Sequence, residues 1–473
     1  MIFNSIEFGL FFPLVFFLYW LFFRKNIKAR NLFIIFSSYF FYGVWDWRFL
    51  ILIFISSIGD YLFGLHIHKA SSIKRKKFFL ISSITLNIGI LGFFKYFNFF
   101  TENFIAVFTL LGNNFTHESL NIILPVGISF YTFQTMSYTL DIYHKKLEPT
   151  SDPFSFFAFV SFFPQLVAGP IERARNLLPQ FYTPKFPEYE TIKSGLLIIA
   201  LGLFKKIVIA DRLAIYVNSV YDNIGDANGF PMLIGVIFFA FQLYLDFSAY
   251  SDIAIGTAKT LGFNLSRNFN NPYLSGSFSD FWNRWHISLS SWFRDYVYIP
   301  LGGGRNGKYK KIKNILIVFI LSGLWHGASW NFIIWGGING FFLILLNGFV
   351  LKRYSLFFRS LIVFSCWTLS LVFFRAETFH DSFEVFLNLG FSNFDKLYDF
   401  GLNAFEFKLV SYLLLASMML EFMEEKKIIS IEWIGSRSKL IRYMFYISIS
   451  LAILLFGSYG AGLNDNNFIY FQF

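Results

Sequence analysis

Apolar runs of span length follow one another from Ile6 to Gly457, and short clusters of lysine and arginine separate many of them. This pattern restricts the fold more than any single motif. A run of about 20 mainly apolar residues matches the hydrocarbon thickness of a bilayer. Water is a poor alternative solvent for such a chain. Of its 473 residues, 55% are hydrophobic and 15% charged, against about 25% charged in ordinary soluble domains. The formal charge of +11 would suggest nucleic acid in a soluble protein. Here the basic residues sit between apolar runs, as cytoplasmic loops require, so no nucleic-acid partner is expected. The reading is an all-α integral membrane protein of about ten or more transmembrane helices, with re-entrant segments, around a central pore. Residues 1–473 form a single polytopic domain in this reading. Phenylalanine alone supplies 70 residues. We take this as a compositional bias and read no single phenylalanine as functional.

Charge sets the topology. The run from Ile6 to Phe23 has no basic segment before it and no small-residue cleavage site after it, so it reads as a retained first span. It ends at Arg24, Lys25, Lys28 and Arg30, which places the N-terminus outside. The run from Asn31 to Val44 leads out. The run from Phe49 to Leu65 leads back to Lys69, Lys74, Arg75, Lys76 and Lys77, so both basic loops fall on one side. Further runs lie at 78–94, 97–111, 122–140, 154–168, 194–210 and 231–250. Ser155 to Gly169, followed by Pro170, is too interrupted for a plain span and reads as re-entrant. Lys308, Lys310, Lys311 and Lys313 precede a run at 314–335, and runs at 336–350, 356–374, 405–422 and 440–457 follow. Lys426 and Lys427 put the end of the 405–422 run inside. Arg437, Lys439 and Arg442 start the last span inside, so the tail after Gly457 is expected outside.

Polar groups within lipid are expensive and default to functional candidates. The single cysteine, Cys366, excludes a disulfide framework and a cysteine-based zinc site, and reads as a small buried hydrophobe. Five of seven histidines, His66, His68, His117, His144 and His380, fall at span ends or in loops and read as solvated. His326 lies inside an apolar run, 13 residues beyond Lys313. At 1.5 Å per residue it sits about 20 Å from the cytoplasmic edge if the helix is straight. Gly323 and Gly327 clear one face of that helix, either for substrate or for a close neighbouring helix. His286 lies in Phe281-Trp282-Asn283-Arg284-Trp285-His286, where aromatic and polar residues alternate without a clean apolar face. That stretch reads as a buried or re-entrant segment.

Gly302-Gly303-Gly304-Arg305-Asn306-Gly307 matches a dinucleotide fingerprint only formally, because no strand precedes it; a glycine turn is the better reading. No Walker A, G-x-S-x-G or H-E-x-x-H pattern occurs, and no metal site is expected. Asp246 and Asp252 read as interfacial anchors at a span end, with an ion path as the alternative.

The segment from Phe281 to Ser290, together with Trp292 to Gly303, resembles the membrane-bound O-acyltransferase superfamily, and within it the alginate O-acetylase branch. Trp325-His326-Gly327 is similar to the element that carries that superfamily's catalytic histidine. Phe3-Asn4-Ser5 through Tyr39-Phe40-Phe41-Tyr42-Gly43, Val167-Ala168-Gly169-Pro170-Ile171 and the closing Phe468-Ile469-Tyr470-Phe471-Gln472-Phe473 also match, so the resemblance covers nearly the whole chain in order. It implies an O-acetyltransferase of the cytoplasmic (inner) membrane with acetyl-CoA as donor substrate and no bound cofactor. The acceptor is an extracytoplasmic polysaccharide, peptidoglycan or an alginate-like exopolysaccharide. A secreted or periplasmic acetyltransferase is the expected partner.

His326 is assigned as general base, since a neutral imidazole can take a hydroxyl proton during attack on a thioester. His286 is assigned to orient substrate or polarise the carbonyl. Arg173 and Arg175 are candidates for the phosphates of CoA, with a membrane-edge anchor as the alternative. Tyr470 reads from composition as an interfacial aromatic anchor. The resemblance instead makes it an acyl carrier, and a phenol with a pKa near 10 suits that role, since its acetyl ester is activated. Two further readings stand beside this one: a transporter or channel without covalent chemistry, and an acyltransferase acting on a lipid or secreted protein.

Overall fold

The structure is a computed structural model. It describes every residue except 113–119, 121, 168, 306, 347–353, 459–467 and 472–473. His117, Ala168, Asn306, Gln472 and Phe473 therefore lie outside the described residues. The described chain is built of helices, and it divides into two compact units, Met1–Leu196 with Ala254–Ser266, and Leu197–Ile253 with Arg267–Phe473.

In the first unit, α1 (Ile6–Leu18) begins at Ser5, whose hydroxyl accepts from the Phe8 amide. It is followed by α2 (Ile27–Asp46), α3 (Leu50–Lys69), α4 (Ile73–Leu91) and α5 (Phe97–Leu110). Outward-facing residues of α1 such as Leu10, Leu14 and Phe17 are exposed, which only a lipid surround makes stable. Helix α6 (Ile128–Tyr143) buries every residue except Leu140 and Tyr143. It packs against α3 and α4 through polar groups. Ser83 Oγ donates to Asp60 Oδ1 at 2.6 Å and Asn87 Nδ2 to Asp60 Oδ2 at 2.7 Å. Asn87 Oδ1 in turn accepts from Ser56 Oγ at 2.8 Å and Thr135 Oγ1 at 3.1 Å. The interrupted run near 155–169 forms two short buried helices, α7 (Pro153–Ser161) and α8 (Phe163–Leu166), broken at Phe162. Helix α9 (Ala174–Leu177) follows, and α10 (Tyr189–Leu203) begins in this unit, which ends at Leu196.

In the second unit, a π-helical stretch, Phe204–Ala210, leads into α11 (Asp211–Asp222) and then α12 (Phe230–Thr260), of 31 residues, which belongs to this unit up to Ile253. Next come α13 (Phe278–Arg284), α14 (Ile287–Phe293), α15 (Lys308–His326), α16 (Trp330–Leu345), α17 (Leu356–Arg375), α18 (Phe379–Asn388), α19 (Ala404–Glu425), α20 (Ile431–Gly435) and α21 (Lys439–Phe456). The run expected at 314–335 is thus two helices. His326 is the last residue of α15, and the chain extends through Gly327 before Ser329 opens α16. The glycines resolve the earlier alternative in favour of a neighbouring helix. A Cβ on Gly323 would collide with the Phe332 carbonyl oxygen, one on Gly336 with the Phe319 carbonyl oxygen, and one on Gly327 with the Phe332 ring. Backbone therefore meets backbone between α15 and α16.

Among the described residues, six segments are long and apolar enough to cross a membrane, and two of them, Ile27–Lys69 and Ile73–Leu110, each contain two helices. The other expected runs form helices that are shorter, such as α6 and α16, or that carry more charge, such as α15 and α19. This is an all-α, multi-pass membrane architecture. Cys366 is half-buried rather than buried. His66, His68, His144 and His380 are exposed.

Candidate active site

His286 sits at the junction of two seven-residue helices. Trp285 ends α13, and His286 opens α14 with φ 40° and ψ 54°, in the left-handed region. For a residue with a Cβ that conformation costs about 1–3 kcal/mol and persists only where the surroundings enforce it. The strand of chain at 268–270 does so. The Ile287 N–H donates to the Asn268 carbonyl at 2.9 Å, and the Asn270 N–H donates to the Arg284 carbonyl at 3.0 Å. The Asn268 side chain accepts from Ser288 Oγ at 2.6 Å and donates to Ser251 Oγ at 3.1 Å. Nothing in the sequence singled out Asn268; its role depends on a contact made 20 residues away.

His326 enters from the end of α15. Its ring and that of His286, both buried, have centroids 6.4 Å apart. Tyr470 completes a triangle, 5.6 Å from His326 and 6.3 Å from His286. Phe247 lies against both His286 (4.7 Å) and Tyr470 (4.4 Å). The structure therefore brings His286, His326 and Tyr470 together. The aromatic tail is not an exposed anchor: Phe468 and Ile469 are buried and Tyr470 is half-buried within the second unit.

The walls are aromatic. Trp325, Trp335 and Phe374 lie 5.0, 5.1 and 5.5 Å from the His326 ring. Trp282 and Trp367 lie 6.2 and 6.0 Å from Trp335. The indole N–H groups of Trp282 and Trp335 and the Thr368 hydroxyl are buried without a hydrogen-bond partner among the described residues. Such groups are rare and costly unless something else supplies an acceptor. The sequence pattern did not mark Trp335 and Thr368, which look like ordinary core residues of apolar helices. Among the described residues, no group of three or more His, Cys, Asp or Glu could hold a metal ion.

Residues 144–375 match the model of MBOAT, the membrane-bound O-acyltransferase family. A peptidoglycan O-acetyltransferase of Helicobacter pylori is 36% identical over 395 residues, covering 77% of this chain and 74% of that protein. A probable alginate O-acetylase, AlgI, of Pseudomonas syringae pv. tomato is 38% identical over 388 residues, covering 80% and 73%. A teichoic acid D-alanyltransferase of Bacillus subtilis is 30% identical over 243 residues, covering 49% and 61%.

The chain belongs to the membrane-bound O-acyltransferase family.

Family membership makes it an O-acyltransferase and removes the transporter or channel reading. His286 and His326 fall within the matched segment, as do Arg173 and Arg175, whereas Tyr470 lies beyond it. The two arginines do not form a matched pair. Arg173 is buried beside Glu172, whose carboxylate accepts from Ser266 Oγ at 2.8 Å, while Arg175 is exposed. Both belong to the first unit; the two histidines and Tyr470 belong to the second. The glycine segment after Pro300 is a turn, with Gly302, Gly303 and Gly307 at φ 98°, 58° and 93°. Asp246 corrects its expected role as an interfacial anchor. It is buried inside α12, which runs ten residues past the apolar run read from the sequence, and it pairs with Lys206 at 2.8 Å. Asp252 pairs with Lys205 at 3.0 Å.

Proposed function

We propose that this O-acyltransferase moves acetyl from cytoplasmic acetyl-CoA through Tyr470 to a hydroxyl of an extracytoplasmic polysaccharide, and that it resides in the cytoplasmic (inner) membrane. The observation that carries the reading is the 5.6 Å approach of the Tyr470 and His326 rings. His326 takes the phenol proton as Tyr470 Oη attacks the thioester carbonyl. The C–S bond breaks, the proton passes to the departing thiolate, and the products are CoA and acetyl-tyrosine. In a second transfer, a sugar hydroxyl attacks the tyrosyl ester, and the phenol is restored. A secreted or periplasmic acetyltransferase would perform that step. His286 orients the substrate or polarises its carbonyl. The Trp335 indole N–H is the further donor suited to a carbonyl oxygen that gains charge. Arg175, being exposed, is the better placed of the two arginines to meet CoA phosphates, and Arg173 is the second candidate.

The names of the relatives support a surface polymer as acceptor. The muramic acid of peptidoglycan comes first, because a cell-wall polymer is general to bacteria; an alginate-like exopolysaccharide comes second. Mass spectrometry of peptidoglycan and exopolysaccharide from a deletion strain tests the proposal. The O-acetyl ester should disappear from one polymer and return with the wild-type gene but not with Tyr470→Phe, which keeps the ring and loses the hydroxyl. Full acetylation with Tyr470→Phe would mean that acetyl passes directly to the acceptor. Acetyl esters unchanged on both polymers would favour a lipid or a secreted protein as acceptor.

A further inference from the structure

One short stretch of α12 touches three successive residues of the C-terminal tail. Tyr250 stacks on Phe468 with ring centroids 4.2 Å apart. Asp246 Oδ2 accepts from the Ile469 N–H at 2.9 Å. Phe247 meets Tyr470 at 4.4 Å. Asp246 and Tyr250 are one helical turn apart and so share a face.

Asp246 is held in place from behind. Its other oxygen lies 2.8 Å from Lys206 Nζ, which is also 2.7 Å from Asp211 Oδ1. All three residues are buried. Lys206 sits in the π-helical stretch and lies over the Tyr250 ring at 5.6 Å. The same stretch holds the chain entering the tail: the Ser458 N–H donates to the Ile207 carbonyl at 3.0 Å. A buried ionic triad adds little to stability compared with apolar packing of equal size, and π-helical stretches concentrate at functional sites. Here the triad fixes a carboxylate whose remaining lone pairs face the tail backbone.

We propose that Asp246, ion-paired to Lys206 and backed by Asp211, is a positioning residue that docks the C-terminal tail through the Ile469 N–H and thereby sets Tyr470 beside His326. Its part in transfer rests on the reading of Tyr470 as acyl carrier; the docking does not. Recognition of a peptide N–H has a particular use here. That group is the same whether Tyr470 is free or acetylated, so docking fixes the register of the tail without sensing its load. Side-chain pockets on either side, formed by Tyr250 and Phe247, then place the phenol.

The test uses full-length protein in bilayer nanodiscs. In a Cys366→Ala background, Tyr470→Cys reports tail position through its rate of reaction with a maleimide. Adding Ile469→Pro removes the N–H and leaves the ionic triad intact, whereas Ile469→Val keeps the N–H. Asp246→Asn probes the acceptor from the other side. Ile469→Pro and Asp246→Asn are each expected to speed labelling at least tenfold, and Ile469→Val to leave it at the parental rate. With Tyr470 restored, Ile469→Pro should lower surface acetylation at least tenfold while acetyl-CoA affinity and the unfolding midpoint stay unchanged. Labelling of the proline variant at the parental rate would overturn the docking, and faster labelling with acetylation intact would overturn its part in transfer. Full acetylation with Tyr470→Phe would overturn the carrier reading alone, since the labelling rates would still decide docking.

Discussion

In the core of α3, α4 and α6, Asp60 accepts from Ser83 and Asn87, and Asn87 accepts from Ser56 and Thr135. Around His326, by contrast, the indole N–H groups of Trp282 and Trp335 and the Thr368 hydroxyl are buried with no partner among the described residues. Both sets of polar groups are shielded from water, and both would be costly in lipid alone. The first set satisfies itself and so adds to helix association. Under the proposed function, the second is completed by an acceptor that the substrate brings. The two clusters thus differ in the bonding of their buried polar atoms rather than in burial.

The contrast should be widest for His326→Ala. Surface acetylation is expected to fall by about a thousandfold, the range for loss of a general base, with normal protein abundance in the membrane. Ester-linked acetate per unit of enzyme measures it, and more than a tenth of wild-type activity would remove His326 from the site. Trp335→Phe keeps the packing and deletes one donor. It should lower kcat about 10–100-fold, somewhat below the loss of a full oxyanion-hole donor, with KM for acetyl-CoA unchanged. A change confined to KM would make Trp335 a wall residue. Asp60→Asn should behave in the opposite way. Misplacing the amide opposite Asn87 should cost about 1–3 kcal/mol of stability, read as a lower unfolding midpoint in detergent, with turnover per folded molecule within about twofold. A tenfold loss of turnover at unchanged stability would show that the first polar cluster also serves the reaction. The smallest effect is expected at Arg175→Glu, a several-fold weaker affinity for acetyl-CoA by calorimetry with unaltered membrane insertion; unchanged affinity would take Arg175 off the donor site.

The spans were legible because lipid imposes a length and basic residues punctuate it. Ile6–Phe23 and Leu356–Arg375 follow the apolar runs closely. The division between α15 and α16 was not, since Gly327-Ala328-Ser329 carries no charge to mark a turn within an apolar run. His286 and His326 stood out as polar groups in apolar surroundings. The placement of the tail did not, because Phe-Ile-Tyr-Phe reads the same whether it faces lipid or an aromatic pocket. Asp246 was misread for a related reason. It stood near the apparent end of an apolar run, whereas α12 continues to Thr260 and makes Asp246 an interior residue. In each case the missing information was a long-range contact.

The backbone contact between α15 and α16 also bears on how the enzyme lives in its membrane. A helix that meets only lipid responds to a thinner or thicker bilayer by tilting or shifting. His326 ends a helix whose final turns are pressed through Gly323 onto the backbone of α16 at Phe332, with Gly336 pressed in return onto Phe319. Its depth is therefore referenced to a neighbouring helix rather than to the headgroups. Changes in lipid chain length fall on the outward-facing helices such as α1 and α21, and the His326 imidazole, the proposed base, keeps its station while the bilayer around it varies.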